Sequence, residues 1–309
     1  MNNLSDRPRL SLGYGDIGQR LGALSIAKGI PFKAVRRQQL FAQQAGLSFV
    51  SGDVTRPEVL AQVLDETPTD IVVTLTPDTY SEQGYRDTYL ACATALAEVV
   101  PTISPLSRIL YVSSTSVYPQ NAGEQVDENT DCVTLRSSLS ATAKVLQSTE
   151  AAISAIDLPT CNLRFSGIYG PGRTRLLQSV RAGQIAPAHP TRWTNRIHAD
   201  DCAGIIDFLF RLPQLPPCVV GTDCASVPKH DVHHYVAELI GTSKTQREAD
   251  NKNVDAISTE TSGQQEASDQ QERGKRCSNA FLLKLGYSYT YPDYKAGFKS
   301  LISTEKENE

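Results

Sequence analysis

A chain of 309 residues with 40% hydrophobic and 21% charged residues has room for one large α/β domain and a smaller lobe. A net charge of −4 at pH 7 and a pI near 5.8 speak against nucleic acid or an anionic membrane surface as the main partner. No apolar run approaches the ~20 residues that cross a bilayer, and Met1–Arg9 lacks the apolar core of a signal peptide.

The seven cysteines are odd in number and contain no CxxC pair. They read as free thiols of a reducing compartment and not as a disulfide frame or zinc site, so the expected location is cytoplasmic.

In chain order, Arg9–Gly13 opens as a strand that breaks into glycines, and Ile17–Lys28 follows as a helix. Phe32–Arg36 is a second strand, and Leu47–Val50 a third that ends at Ser51-Gly52-Asp53. Thr55-Arg56-Pro57-Glu58 has the spacing of a capping box, with proline in the first turn. It predicts a helix that carries Val59, Leu60, Val63 and Leu64. Ile71–Leu75 reads as a strand apolar enough to be buried on both faces. Tyr80–Val100 reads as one long helix, Ile109–Val112 as a fifth strand, Ser137–Ile156 as a helix and Thr160–Phe165 as a sixth strand.

This alternation predicts a doubly wound parallel sheet of Rossmann type over residues 1–170, with residues 171–309 forming mainly a smaller α/β lobe. In the second half, Arg175–Ala182 and Ala199–Leu212 read as helices, Cys218–Gly221 as a strand and Val232–Ile240 as a helix. The helix and strand around 200–221 are expected to return to the first domain. Thr242–Arg273 holds only five apolar residues in 32, all Ala, Val or Ile. Such a segment cannot bury enough surface to offset its ordering entropy and is expected to be a disordered insertion. Order resumes at Cys277, with Phe281, Leu282 and Leu285 helically spaced.

Gly13-Tyr14-Gly15-Asp16-Ile17-Gly18 is a G-x-G-x-x-G run between a strand and a helix. The glycines allow the tight turn, the approach of backbone to a pyrophosphate and the packing of helix on strand, while the helix N-terminus offers free N–H groups. Dinucleotide binding follows from this placement. Asp16 fits only if its carboxylate turns away from the phosphates. At the end of the second strand an acid favours NAD and an arginine pairs with the 2′-phosphate of NADP. Arg36-Arg37 stands there with no acid, so NADP(H) is the expected cofactor and NAD the alternative.

Tyr111-Val-Ser-Ser-Thr-Ser-Val-Tyr118 resembles the fifth strand of extended short-chain dehydrogenase/reductases, the NAD-dependent epimerase/dehydratase family. The glycine loop, Gly52-Asp53-Val54, Leu163-Arg164 with Ile168-Tyr169-Gly170-Pro171-Gly172, and Asn195-Arg196-Ile197-His198-Ala199-Asp200-Asp201 are similar to other segments of that family. Lys275-Arg276-Cys277-Ser278-Asn279 and Tyr291-Pro292 resemble an atypical bacterial, YeeZ-like branch. The resemblance implies that Ser114 hydrogen-bonds the reacting oxygen. It implies that Asp53 and Val54 flank the adenine, that Leu75, Thr76 and Pro77 pass along the ribose, and that Phe165, Ser166 and Ile168 sit near the nicotinamide. Arg173, Asn195, Arg196 and His198 are then expected to face the substrate.

The family's Tyr-x-x-x-Lys pair is incomplete. Ser140-Ala-Thr-Ala-Lys144 supplies the lysine, and the tyrosine position falls on Ser140 or, with the alignment displaced by two, on Thr142. An unactivated hydroxyl is a poor base near neutral pH. Three readings stay open. The first is an oxidoreductase or epimerase of a hydroxyl-bearing small molecule such as a sugar or nucleotide sugar, with His198 or a water moving the proton. The others are an isomerase or lyase that keeps its cofactor bound, and a non-catalytic NADP(H) sensor. Tyr118 reads as structural, and Trp193 as a cleft residue or a loop anchor. His230-Asp231-Val232-His233-His234 reads as a solvated helix start, and no metal site is expected. A homodimer through the helices at 80–100 and 137–156 is implied by the resemblance.

Overall fold

A computed structural model describes residues 7–38, 45–67, 69–241 and 272–307, with only the backbone for 305–307. Seven strands form one all-parallel sheet: β1 (Arg9–Leu12), β2 (Phe32–Arg36), β3 (Leu47–Ser51), β4 (Asp70–Val73), β5 (Arg108–Ser114), β7 (Thr160–Phe165) and β11 (Cys218–Gly221). Their order is β11-β7-β5-β4-β1-β2-β3, with crossings on both sides of β1. The chain reverses direction across the sheet between β1 and β4, which are paired with Leu10 opposite Ile71. Ligand crevices of doubly wound sheets open beyond the carboxyl ends of strands at such a point.

Alternation along each strand splits the core into two layers. Leu10, Leu12, Ile71, Val73, Ile109 and Tyr111 face α2 (Pro57–Val63), α4 (Ala91–Val99) and α5 (Ala141–Ser154). Phe32, Ala34, Val72, Leu110 and Leu163 face α1 (Asp16–Ala27), α7 (Ala199–Arg211) and α9 (Ala280–Lys284). A third apolar cluster joins α6 (Arg175–Arg181), α8 (Lys229–Leu239) and α10 (Tyr294–Glu307) through Leu177, Val180, Val236 and Phe298. β11 is an edge strand of the seven-stranded sheet, and α7 packs on one face of it.

Several expectations are corrected. The capping box at Thr55 is not formed: Arg56 is the N-cap of α2, and Thr55 instead donates its N–H and hydroxyl to Asp53 Oδ1 (3.0 and 2.8 Å). The helix expected over Tyr80–Val100 is broken into α3 (Glu82–Tyr85), a π-helical stretch (Arg86–Leu90), α4 and a 3₁₀ turn at Val100–Thr102. Pro101 accounts for the final turn, since it cannot donate an N–H to the helical ladder. The helix expected from Ser137 begins at Ala141, because the Ser140 hydroxyl accepts the Ala143 N–H and caps it.

Short strands escaped the sequence reading: β6 (Ala122–Val126) pairs with β13 (Gly274–Cys277), β8 (Gly167–Tyr169) with β10 (Arg196–His198), and β9 (Trp193–Thr194) with β12 (Val227–Pro228). Helix α10 escaped it too. Most of the expected insertion, 242–271, lies outside the described residues. Glu272 and Arg273 are ordered against β9, with Trp193 N–H donating to Arg273 O (2.8 Å) and Trp193 Nε1 to Glu272 Oε2 (3.0 Å).

Candidate functional site

The glycine loop leaves β1 with Gly13 at φ +97°, where a Cβ would stand 2.6 Å from Thr74 O. A Cβ on Gly18 would meet Gly13 O at 2.7 Å, so this glycine lets α1 lie against the turn. Gly15 has nothing within 4 Å of its would-be Cβ and borders a cavity of about 1080 Å³. It is also the N-cap of α1 and offers no side chain to the first-turn N–H groups. A phosphate fits this cradle: open space, free donors and the positive end of a helix.

Asp16 is turned aside. Its carboxylate accepts hydrogen bonds from Arg20 Nε and Arg173 Nε (both 2.7 Å). Burial raises its pKa, but the bonds from Arg173 and Arg20 outweigh that and hold it below the ordinary carboxylate range. Arg173, expected at the substrate, is therefore an ion-pair partner of the loop in this structure.

Gly13, Gly15, Arg36, Arg37, Asp53, Val54, Leu75, Thr76 and Pro77, all expected along the cofactor, line this one cavity. Ile17 and Gly18 are buried beneath it, and Phe165 and Ser166 are buried at the end of β7. Ser166 Oγ donates to Thr222 Oγ1 (3.0 Å), and Ile168 is half-buried in β8. Residues the sequence reading missed are Arg56, Asp78, Asp87 and Thr88 on the cavity wall. Asp87 and Thr88 arrive on the π-helical stretch, a distortion that recurs at functional sites. Helical periodicity carries no signal for it.

At the end of β5, Ser114 is half-buried and its Oγ accepts the Ser116 N–H (3.1 Å). The next turn leans on α5, where Gln147 Nε2 donates to Val117 O (3.0 Å). Ser140 is engaged as the cap, with Thr142 Oγ1 3.0 Å from its hydroxyl. Lys144 is half-buried and forms no ion pair among the described residues. Nearly two turns further along α5, the buried Glu150 accepts from Ser113 Oγ (2.6 Å) and from both Nε and Nη2 of Arg164 (3.0 and 2.7 Å). The Arg164 guanidinium also lies 4.8 Å above the Tyr118 ring, whose hydroxyl donates to Asp127 O (2.7 Å). Lys275 approaches from β13 and donates to Thr115 O (3.2 Å) and Tyr118 O. Burial lowers its pKa.

The lobe residues take mixed places. Asn195 is a brace: its Oδ1 accepts from Cys277 N–H (2.7 Å) and Ser226 Oγ (2.9 Å), and its Nδ2 donates to Lys275 O (2.9 Å). His198, expected to face substrate, is only 2% exposed. It caps α7 by accepting the Asp200 N–H on Nδ1 (3.3 Å), and its ring packs 3.9 Å from Tyr291 and 5.3 Å from Tyr169. Burial pushes its pKa down, so the neutral cap is favoured. Arg196 is half-buried, and its Nε has no hydrogen-bond partner among the described residues. Nearby Asp223, 2% exposed with Oδ2 unpartnered among the described residues, has its pKa raised by burial to about 7. Trp193 is an anchor, with the Arg276 guanidinium 5.0 Å above its ring. His230 Nδ1 lies 2.8 Å from Ala186 O.

A second cavity of about 400 Å³ opens in the lobe and is lined by Arg192, Lys229 and Arg273, without a carboxylate among its lining residues. Backbone bonds hold these residues together, Lys229 N–H to Arg192 O (2.7 Å) and Arg273 N–H to Thr191 O (2.8 Å). Burial, then Arg192, Arg196 and Arg175, lower the Lys229 pKa.

The family model for the NAD dependent epimerase/dehydratase family matches residues 13–216. A candidate NAD-dependent epimerase/dehydratase from Methylobacillus flagellatus shares 30% identity and superposes at TM-score 0.70, covering 97% of this chain and 99% of that one. The human epimerase family protein SDR39U1 (isoform 2), solved with NADPH, shares 17% identity at TM-score 0.69, covering 96% of this chain and 99% of that one. MoeE5, solved with UDP-glucuronic acid and NAD, shares 17% identity at TM-score 0.72, covering 98% of this chain and 100% of that one. At such identities these last two speak for the fold alone. No curated protein matches the chain. With the glycine cradle at the sheet's reversal point and two thirds of the chain matched, this protein belongs to the NAD-dependent epimerase/dehydratase family.

Proposed function

We propose that this chain is an NADP(H)-preferring oxidoreductase or epimerase acting on a hydroxyl or carbonyl group of a small molecule of the sugar or nucleotide-sugar class. The observation that carries the reading is the cavity over Gly13–Gly15, with Arg36 and Arg37 at its far wall. Hydride exchange is the chemistry that a nicotinamide supplies when bound. Gly15 and the first turn of α1 hold the pyrophosphate, Leu75–Pro77 follow the ribose, and the arginines meet a 2′-phosphate.

Ser114 is the residue to orient the reacting oxygen. Its Oγ already accepts the Ser116 N–H, so its own hydroxyl proton is left to donate to substrate. The cation-lined second cavity favours a substrate that carries a negative charge, as a nucleotide sugar does.

The test is a fluorescence titration with NADPH and NADH, followed by incubation with nucleotide sugars and readout of the nicotinamide redox state and of the recovered sugar. Tighter NADPH binding, by roughly tenfold for two arginine–phosphate contacts, and conversion of a sugar are expected. Absence of saturable binding by both nucleotides overturns the reading. With Ser140 or Thr142 at the position of the family's phenol, one second reading is favoured, an NADP(H)-binding sensor. Binding without turnover of any hydroxyl or carbonyl compound supports it.

A further inference from the structure

Arg37 and Asp78 sit on opposite banks of the cofactor cavity. Arg37 follows β2, Asp78 follows β4, and β1 lies between those strands, so the two banks are about 10 Å apart at the usual strand spacing. Their side chains close this gap: Arg37 Nη1 and Nη2 donate to Asp78 Oδ2 and Oδ1, both at 2.5 Å. The bridge passes over the end of β1, where the glycine loop begins. Among the described residues, no other arginine that lines this cavity is so engaged. Arg36 donates to the neutral Gln38 Oε1 (3.0 Å), and Arg56 forms no ion pair among the described residues.

We infer that Asp78 is an internal competitor for Arg37 and thereby sets how strongly the protein prefers NADP(H) over NAD(H). A guanidinium presents one planar fork, and a fork facing a carboxylate in bidentate fashion has no second pair of aligned donors for a phosphate. A 2′-phosphate must take Arg37 from Asp78, whereas a 2′-hydroxyl needs no such exchange. Both partners are more than half exposed, 54% for Arg37 and 67% for Asp78, so water screens the pair and a doubly charged phosphate can displace the carboxylate. The hydrogen bond from Arg37 holds the Asp78 carboxyl below its usual range, which keeps the competitor charged across the physiological range. Discrimination here is a balance of two anions on one arginine and not a count of basic residues.

This inference rests on the proposed cofactor cavity, and its test separates the two. Dissociation constants for NADPH, NADH, 2′,5′-ADP and 5′-ADP are measured by fluorescence or calorimetry on the whole chain, for the wild type, Asp78→Asn, Arg37→Ala and the double variant. Asp78→Asn is expected to tighten NADPH and 2′,5′-ADP roughly three- to tenfold and to leave NADH and 5′-ADP within about twofold. The gain should vanish in the Arg37→Ala background.

Unchanged or weaker NADPH binding by Asp78→Asn overturns the inference, as does an equal gain for NADH or a gain that persists without Arg37. If the wild type prefers NADH but Asp78→Asn moves it toward NADPH as described, the proposed preference falls and this inference stands. If no variant binds any of the four nucleotides, both fall. Both side chains are largely exposed, so thermal melting of each variant should match the wild type.

Discussion

Asp223 is a carboxylic acid at the carboxyl end of β11, 2% exposed, with one oxygen accepting the Ala225 N–H (3.0 Å) and the other without a partner among the described residues. Burial raises its pKa from 3.8 to about 7, more than Arg196 nearby offsets. Between those values the native state keeps a proton that the unfolded chain has released. The stabilisation is therefore complete below the unfolded pKa and is lost as pH rises to about 7. Asp223→Asn keeps the acceptor for Ala225 and removes the titration. Urea unfolding of wild type should lose a few kcal/mol relative to the variant between about pH 4 and pH 7.5, since each tenfold difference in proton affinity between the two states is worth ~1.4 kcal/mol. Parallel stability curves would refute a raised pKa. No residue pattern foretold this group, because its raised pKa comes from burial in the fold, which no local run of residues announces. His198 teaches the converse: its motif promised a cleft residue, and the fold used the imidazole as a helix cap.

Among the elements, α5 shows how far a local rule reaches. A helix was legible near 137–156, but its start depended on which serine capped it. Ser140 does so by accepting the Ala143 N–H at 3.2 Å. Ser140→Ala should cost about 1 kcal/mol of stability. Because the capping hydroxyl has this structural task, the same variant should leave NADPH affinity within about twofold; a large loss of affinity would mean that Ser140 belongs to the cofactor site. The π-helical stretch at Arg86–Leu90 was not legible, since one extra residue per turn shifts the apolar period without a compositional mark. The short pairs β6–β13 and β8–β10 were hidden for another reason. Three to five residues give no period, and their partners lie up to about 150 positions away.

At the scale of the molecule, the two ends of the sheet have separate roles. Two buried ion pairs stand where strands begin: Arg9 with Asp207 (2.9 Å) and Arg108 with Asp70 (2.8 Å on both carboxylate oxygens). Arg108 also donates to Leu212 O (2.9 Å), tying the end of α7 to the sheet. The cavity proposed for the cofactor lies at the other end, where strands end. Asp70→Ala should thus destabilise the protein by about 3–5 kcal/mol by leaving a buried guanidinium unpaired. NADPH affinity of the folded variant, measured well below its Tm, should stay within about twofold. An equal loss of affinity and stability would contradict this separation.

The sequence by itself determined the sheet, because strands buried on both faces and helices with one apolar face are written in local runs of residues. It determined the glycine cradle for the same reason, since six adjacent positions make the turn, the close approach and the helix start. What only the tertiary structure decided are the relations between distant segments: Arg37 bridged to Asp78, Asp16 held by Arg173, Lys275 brought to the loop after Ser114. Each depends on which strand ends stand side by side, and that order follows from packing the whole chain around one core.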